Sequence, residues 1–282
     1  LQDIHTQGRL HTGGQAVLEW VISEYDQTAN EIEIWYESLD MIDVSIRTPE
    51  GKTVLHEQGV GRSSIVEEPG AELGRYYHRK NEPNTGLSQV LIILNQGVQA
   101  GKWEIILTGR YISIGRYQAW IERDIRSTTA NQSRFPPYQA DSNSTTGSIC
   151  NGLHTISVGA YNHRDPTRAI GHFTSVGPTW DGRDVPFCAA PGVGIQAARS
   201  AAPHQYRSDG GLTYKTGTSM AAPYVAGAIA LLYEASDRPL SIAEVQHRVQ
   251  QACAVPPDIS AAERRRYGHG ILDIEKLLST HQ

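Results

Sequence analysis

Nothing in this sequence approaches the roughly 18 consecutive apolar residues that a membrane-spanning helix needs, and Leu1 opens no charged-then-apolar targeting segment. Basic charge is also short. Lys and Arg number 25 against 30 Asp and Glu, a formal net charge of −5, so no electrostatic footprint points to nucleic acid or to an anionic membrane. The three cysteines, Cys150, Cys188 and Cys253, show no Cys-x-x-Cys spacing and are odd in number, which argues against a disulfide framework or a zinc site. They read as packed thiols, and the compartment stays open. No acidic cluster has the spacing of a calcium loop, so neither metal nor cofactor is expected. What remains is a soluble chain of 282 residues, 39% hydrophobic, long enough for one large or two medium domains with real cores.

Taken in order, residues 1–14 carry Gly8 and the pair Gly13-Gly14 and read as a loop, an entry segment. From 15 to 126 almost every segment alternates or is rich in β-branched and aromatic residues. The strands expected are Ala16–Ser23, Glu31–Tyr36, Ile42–Arg47, Thr53–His56, Ser63–Val66, Arg75–His78, Gln89–Leu94, Trp103–Thr108 and Arg116–Ile121. Turn signals such as Thr48-Pro49-Glu50-Gly51 separate them, and short strands at this spacing predict a β-sandwich of jelly-roll type. His56 and His78 read as ordinary strand residues, and most of the aromatics, Trp20 and Trp103 among them, as core.

From 127 to 148 the composition turns to Ser, Thr, Asn, Gln and Pro, a loop that returns to a second region ending at 282. His154 to Tyr161 has the length and β-branching of a buried parallel strand. The most informative stretch is Gly217-Thr218-Ser219-Met220-Ala221-Ala222-Pro223, with an apolar run beyond it to Leu232. Its spacing predicts a helix with Ser219 at the N-cap and Pro223 within the first turn, where amides have no intrahelical acceptor. Val225, Ile229 and Leu232, with small residues elsewhere, predict burial nearly all round. Farther on, Ser241 and Glu244 form a capping box, with Ile242, Val245, Val249 and Ala252 on one face. Arg264-Arg265-Arg266 reads as a solvated helix face.

Gly217 to Pro223 resembles the nucleophile motif of subtilisin-like serine proteases. Three further segments resemble that family in the same order: Val158-Gly159-Ala160, Gly171 to Thr179, and Ala189-Ala190-Pro191-Gly192. The resemblance implies an α/β fold, the C-terminal half of a parallel-sheet catalytic domain, from 127 to 282. It implies a peptidase acting on polypeptide substrates, with Ser219 as nucleophile and its N–H in the oxyanion hole. Gly217, Thr218, Met220 and Pro223 support that serine. A jelly roll beside such a domain resembles clostridial spore-germination proteases and related bacterial and cyanobacterial subtilases. Pro186-Phe187-Cys188-Ala189 departs from the proline-aspartate pair of many relatives, with Cys188 read as a packed thiol.

A serine needs a base, and in this family that is a histidine oriented by an aspartate, both upstream. No Asp-Ser/Thr-Gly, His-Gly-Thr-His or Gly-Asn-x-Gly string precedes Ser219. His11-Thr12-Gly13-Gly14 comes nearest but leads into strand-like residues; Asp3, Asp26, Asp40 and Asp43 have no supporting context; His172 and His204 are the local alternatives. The expectation is a truncated catalytic domain, inactive alone, whose triad Asp and His lie in a missing N-terminal segment. That segment, or self-association, would cover the exposed sheet. The alternative is a non-catalytic pseudoprotease or protein-binding module of the same fold.

Overall fold

The structure is a computed structural model describing residues 3–67, 70–123, 131–200, 211–257 and 259–279. Its contacts divide the chain into two compact units, Gln2–Ser142 and Asn143–Gln282. Ten strands are described in the first unit: β1 (His5–Arg9), β2 (Gln15–Ile22), β3 (Asn30–Tyr36), β4 (Met41–Arg47), β5 (Thr53–Gln58), β6 (Gly61–Glu67), β7 (Ala71–Arg79), β8 (Ser88–Leu94), β9 (Gly101–Tyr111) and β10 (Arg116–Ile121). They form two antiparallel sheets, ordered β1-β10-β3-β8-β7-β6 and β2-β9-β4-β5.

Period-two side-chain alternation builds this unit. In β3, Asn30, Ile32, Ile34 and Tyr36 are buried while Glu31, Glu33 and Trp35 between them are partly exposed. Ile42, Val44 and Ile46 of β4 face inward, as do Trp103, Ile105 and Leu107 of β9, and both sheets feed one core around Trp20, Trp103 and Tyr76. Each large side chain so removed from water contributes about 1.5–3 kcal/mol.

Two sequence expectations change here. The stretch read as a loop holds β1, which pairs with β10 in register from His5 against Trp120 to Arg9 against Arg116. Residues 131–142 also belong to this unit, beyond the boundary expected at 126. Phe135 is buried in its core, Arg134 bridges Val21, and the Gln139 carbonyl accepts the Thr6 hydroxyl at 2.6 Å. A pattern-based reading misses both, because Gly8 breaks the alternation and polar residues hide Phe135. Gly8 is needed because a Cβ there would lie 2.3 Å from the Tyr117 hydroxyl.

The second unit carries β11 (Val158–Tyr161), β12 (Cys188–Pro191), β13 (Ile195–Ala198), β14 (Leu212–Lys215), β15 (Cys253–Ala254) and β16 (Ile271–Leu272). Its helices are α1 (Thr218–Glu234), α2 (Ile242–Gln251), α3 (Ala261–Tyr267) and α4 (Ile274–Ser279). One sheet runs β11-β12-β16-β15, with β11, β12 and β16 parallel, and β13 and β14 form a separate antiparallel pair. Ala221, Val225, Ala228 and Leu232 of α1 share a core with Ala160, Cys188 and Ala190 of the sheet. Val245, Val249 and Ala252 join that core with Leu240, Leu272 and Leu277, while Ile242, expected beside them, is 40% exposed. Both Ser241-Glu244 and Ser260-Glu263 close capping boxes.

The arginine run faces solvent as expected, Arg264 and Arg265 exposed and Arg266 partly so, but it also makes specific contacts. Arg265 donates to Asn143 Oδ1 at 2.9 Å and to the Gly177 carbonyl at 3.2 Å, and Arg266 donates to the His172 carbonyl at 3.1 Å. Two of the three therefore fasten loops to α3. Among the described residues no helix is long and apolar enough to cross a membrane.

Candidate active site

Three hydrogen-bonded steps place the start of α1 at the carboxyl ends of parallel strands. The Gly192 amide, just past β12, donates to the Tyr161 carbonyl at the end of β11 (3.0 Å), and the Gly217 amide donates to the Gly192 carbonyl (2.9 Å). The Gly194 amide then reaches Thr216 Oγ1 at 2.9 Å. Gly192 permits this approach because a Cβ there would fall 2.5 Å from Ala160 Cβ and 2.9 Å from the Gly217 carbonyl. The carboxyl ends of parallel strands are where open α/β sheets hold their ligands, since loops there are free to vary while the sheet stays rigid.

Gly217, and not Ser219, is the N-cap, with no side-chain cap bond. Thr218 is therefore the first helical residue, Ser219 the second and Met220 the third, and Met220 bonds back to the Gly217 carbonyl at 3.0 Å. This shift by two positions matters chemically. An N-cap serine would spend its hydroxyl on the helix; at the second position the hydroxyl is exposed and makes no hydrogen bond among the described residues. Its amide belongs to the first-turn donors that lack an intrahelical acceptor and sit at the positive end of the helix dipole. A hydroxyl and an uncommitted N–H on one residue are what an acyl-transfer site needs: a nucleophile beside a donor for the oxyanion.

Pro223 lies deeper than the first turn and is the sixth helical residue. It has no N–H to offer the Ser219 carbonyl, so one rung is missing directly below the serine. The helix tolerates this because Pro223 is exposed.

Burial all round is not observed. Ala221, Val225, Ala228 and Leu232 are buried, but the opposite face shows Ala222, Tyr224, Ala226, Gly227, Ala230 and Leu231 to solvent, with Tyr224 40% and Leu231 46% exposed. The sequence reading assigned both faces to a core because small and apolar residues line both.

Within the second unit no described histidine, aspartate or glutamate hydrogen-bonds Ser219. His172 is exposed and edge-on to Phe173, at 5.5 Å between ring centroids. Its segment covers the outer edge of β11: Gly171 N–H donates to the Ala160 carbonyl at 2.7 Å, and Ala160 N–H to Thr174 Oγ1 at 3.1 Å. His204 lies outside the described residues. His11 is exposed in the β1–β2 turn of the first unit, where its carbonyl accepts the Gly14 amide. Asp40 has a structural task invisible in sequence. Its buried carboxylate accepts the amides of Ser113 (2.6 Å), Ile114 (3.0 Å) and Gly115 (2.7 Å), clamping the β9–β10 turn.

Cys188 is fully buried, and its hydrogen bond with Cys253 together with burial pushes its thiol well above the ordinary range. A thiol so held is not a nucleophile at neutral pH. Among the described residues no group of three or more His, Cys, Asp or Glu side chains could hold a metal ion.

Comparison with known proteins adds to this geometry. The sequence model described as the Subtilase family, Peptidase_S8, matches residues 112–270, more than half of the chain. Among solved structures, the CspB protease of Clostridium perfringens superposes with a TM-score of 0.78 at 20% identity, covering 99% of this chain and 57% of that one, a likeness of fold. This chain thus spans little more than half the length of that protease. The patellamide maturation protease PatA aligns at 25% identity over 45% of this chain and 43% of its own, with a TM-score of 0.35.

Proposed function

The chain belongs to the subtilase family, and from that premise we propose that Ser219 is the nucleophile of a serine endopeptidase acting on polypeptides. The observation that carries this is the pairing, on the first turn of α1, of an exposed uncommitted hydroxyl with an uncommitted N–H at the ends of β11 and β12. Ser219 Oγ adds to the scissile carbonyl while a base takes its proton. The tetrahedral oxyanion is held in part by the Ser219 N–H, and the C–N bond breaks as the same base returns the proton to the leaving amine. Water then hydrolyses the ester.

The base, its orienting carboxylate and a second oxyanion donor are proposed to come from polypeptide outside this sequence, from the same protein or from a second copy. The apolar, solvent-facing side of α1 supports this reading, since Tyr224 and Leu231 offer it a surface to bury. Without those groups, residual catalysis would rest on binding and one oxyanion donor, so the chain alone is nearly inert.

The first unit is proposed to be a jelly roll spliced into the catalytic domain. The supporting observation is the order β1-β10-β3-β8 facing β2-β9-β4-β5, two interlocked four-strand sets, with the hairpin β6–β7 extending the first.

Intact-mass detection of fluorophosphonate labelling, with Ser219→Ala as control, tests the nucleophile. An adduct on the complemented protein that disappears in Ser219→Ala is the expected result. A Ser219→Ala variant that labels or cleaves like the parent refutes the assignment. A complemented, folded protein whose Ser219 never labels leaves the protein-binding module as the reading.

A further inference from the structure

The first unit holds a cleft of about 620 Å³ where the start of β6 meets the end of β7 and the turn beyond it, lined by Val60, Arg62, Tyr77, Arg79, Lys80 and Pro83 among others. Its size falls in the range of ligand-binding sites. Its charge is predominantly positive, three cations against the one carboxylate of Glu82, in a chain whose formal net charge is −5. Arg62, Arg79 and Lys80 are exposed, and none forms an ion pair among the described residues. Glu82, the carboxylate in the lining, is committed to its own turn, accepting the amides of Asn84 (3.1 Å) and Thr85 (2.9 Å) and both their side chains. The Arg62 guanidinium lies 5.8 Å from the centre of the Tyr77 ring, which holds that charge over a flat, half-buried surface.

Register puts two of the charges on one face. Arg62 pairs across the strands with Tyr77, so Arg79, two residues on, is its diagonal neighbour on the same face. Diagonal neighbours leave the sheet face about 7–8 Å apart. Alternate side chains of an extended peptide leave its backbone roughly 6.5–7 Å apart, close to the spacing at which Arg62 and Arg79 leave the sheet face. The ring of Tyr77 and the exposed Val60 between and beside the charges suit the apolar residues of such a segment.

We propose that this cleft is a binding site for an extended acidic polypeptide segment, with its alternate carboxylates on Arg62 and Arg79 and a further one on Lys80. It operates independently of Ser219 and of the reaction proposed for it.

The test is fluorescence anisotropy of a fluorescein-labelled peptide of alternating glutamate and valine, titrated with the full chain at low and at physiological salt. Saturable binding is expected, weakening with salt because charges at this surface are screened beyond about 8–10 Å. Arg62→Ala combined with Arg79→Ala should weaken it by about tenfold or more. Lys80→Gln, on an exposed position that leaves the sheet untouched, should weaken it by roughly two- to threefold and guards against a double variant that misfolds. Inorganic phosphate at matched ionic strength should not compete beyond the salt effect. The proposal is overturned if the parent chain does not bind the peptide or if a lysine-valine peptide binds equally well. It is overturned too if Lys80→Gln and the folded double variant bind like the parent, or if phosphate alone displaces the peptide.

Discussion

His78 offers a stability prediction whose sign can be worked through from its surroundings. The ring is 4% exposed, with Nε2 at 2.5 Å from the Tyr36 hydroxyl and Nδ1 at 3.0 Å from the Tyr76 hydroxyl. Both tyrosines are buried in the core of the first unit. A neutral imidazole has one donor and one acceptor, so one hydroxyl donates to it and the other accepts; an imidazolium has two donors and would force the donating tyrosine to turn away. Desolvation is the main reason that its pKa falls below the ordinary 6.5, outweighing the opposing influence of the Gly59 carbonyl and the Asp43 carboxylate.

The folded state therefore resists a proton that the unfolded chain accepts. Stability from this site is complete above pH 6.5 and is lost as pH falls below 6.5 towards the lower folded pKa, at no more than about 1.4 kcal/mol per pH unit. His78→Gln keeps a donor and an acceptor but does not titrate. Urea unfolding monitored by the fluorescence of the buried Trp20 and Trp103 should show the parent losing roughly 1 kcal/mol more than His78→Gln between pH 7 and pH 5.5. At pH 7 the variant should itself be about 1–2 kcal/mol less stable, from the smaller side chain and looser hydrogen bonds. A difference between the two proteins that stays flat with pH, or that widens as pH falls, would refute the reasoning.

Other parts of the structure carry further expected outcomes. Asp40→Ala removes the acceptor of three turn amides and should lower the stability of the first unit by about 2–4 kcal/mol; thermal unfolding with an unchanged midpoint would contradict the clamp. Gly192→Val places side-chain atoms where Ala160 Cβ and the Gly217 carbonyl already sit, costing about 1–3 kcal/mol and displacing the start of α1; in the complemented protein it should abolish Ser219 labelling, and parental labelling would remove Gly192 from the site. Leu231→Glu, on the exposed face of α1, should change the stability of this chain by less than about 0.5 kcal/mol yet prevent recovery of labelling by a complementing segment; normal recovery would show that this face is not covered.

The sequence by itself determined most of the local structure. All nine strands read between Ala16 and Ile121 are present, because apolar and polar residues alternate so regularly in segments such as β4 that its faces can be assigned from residue type alone. It also determined the family, since Gly217 to Pro223 needs no tertiary information to stand out. Only the tertiary structure decided that the first unit reaches back to His5 and on to Ser142, because β1 and Phe135 are held by partners more than a hundred residues away. Only it decided that Gly217 caps the helix, freeing the Ser219 hydroxyl, since that start depends on the bond from Gly217 to Gly192. Arg265, Arg266 and Asp40 likewise reveal their work only through distant backbone groups. The exposed face of α1 shows the same limit from the other side. A helix sequence specifies which residues suit burial, but which of them are buried depends on what is packed against them.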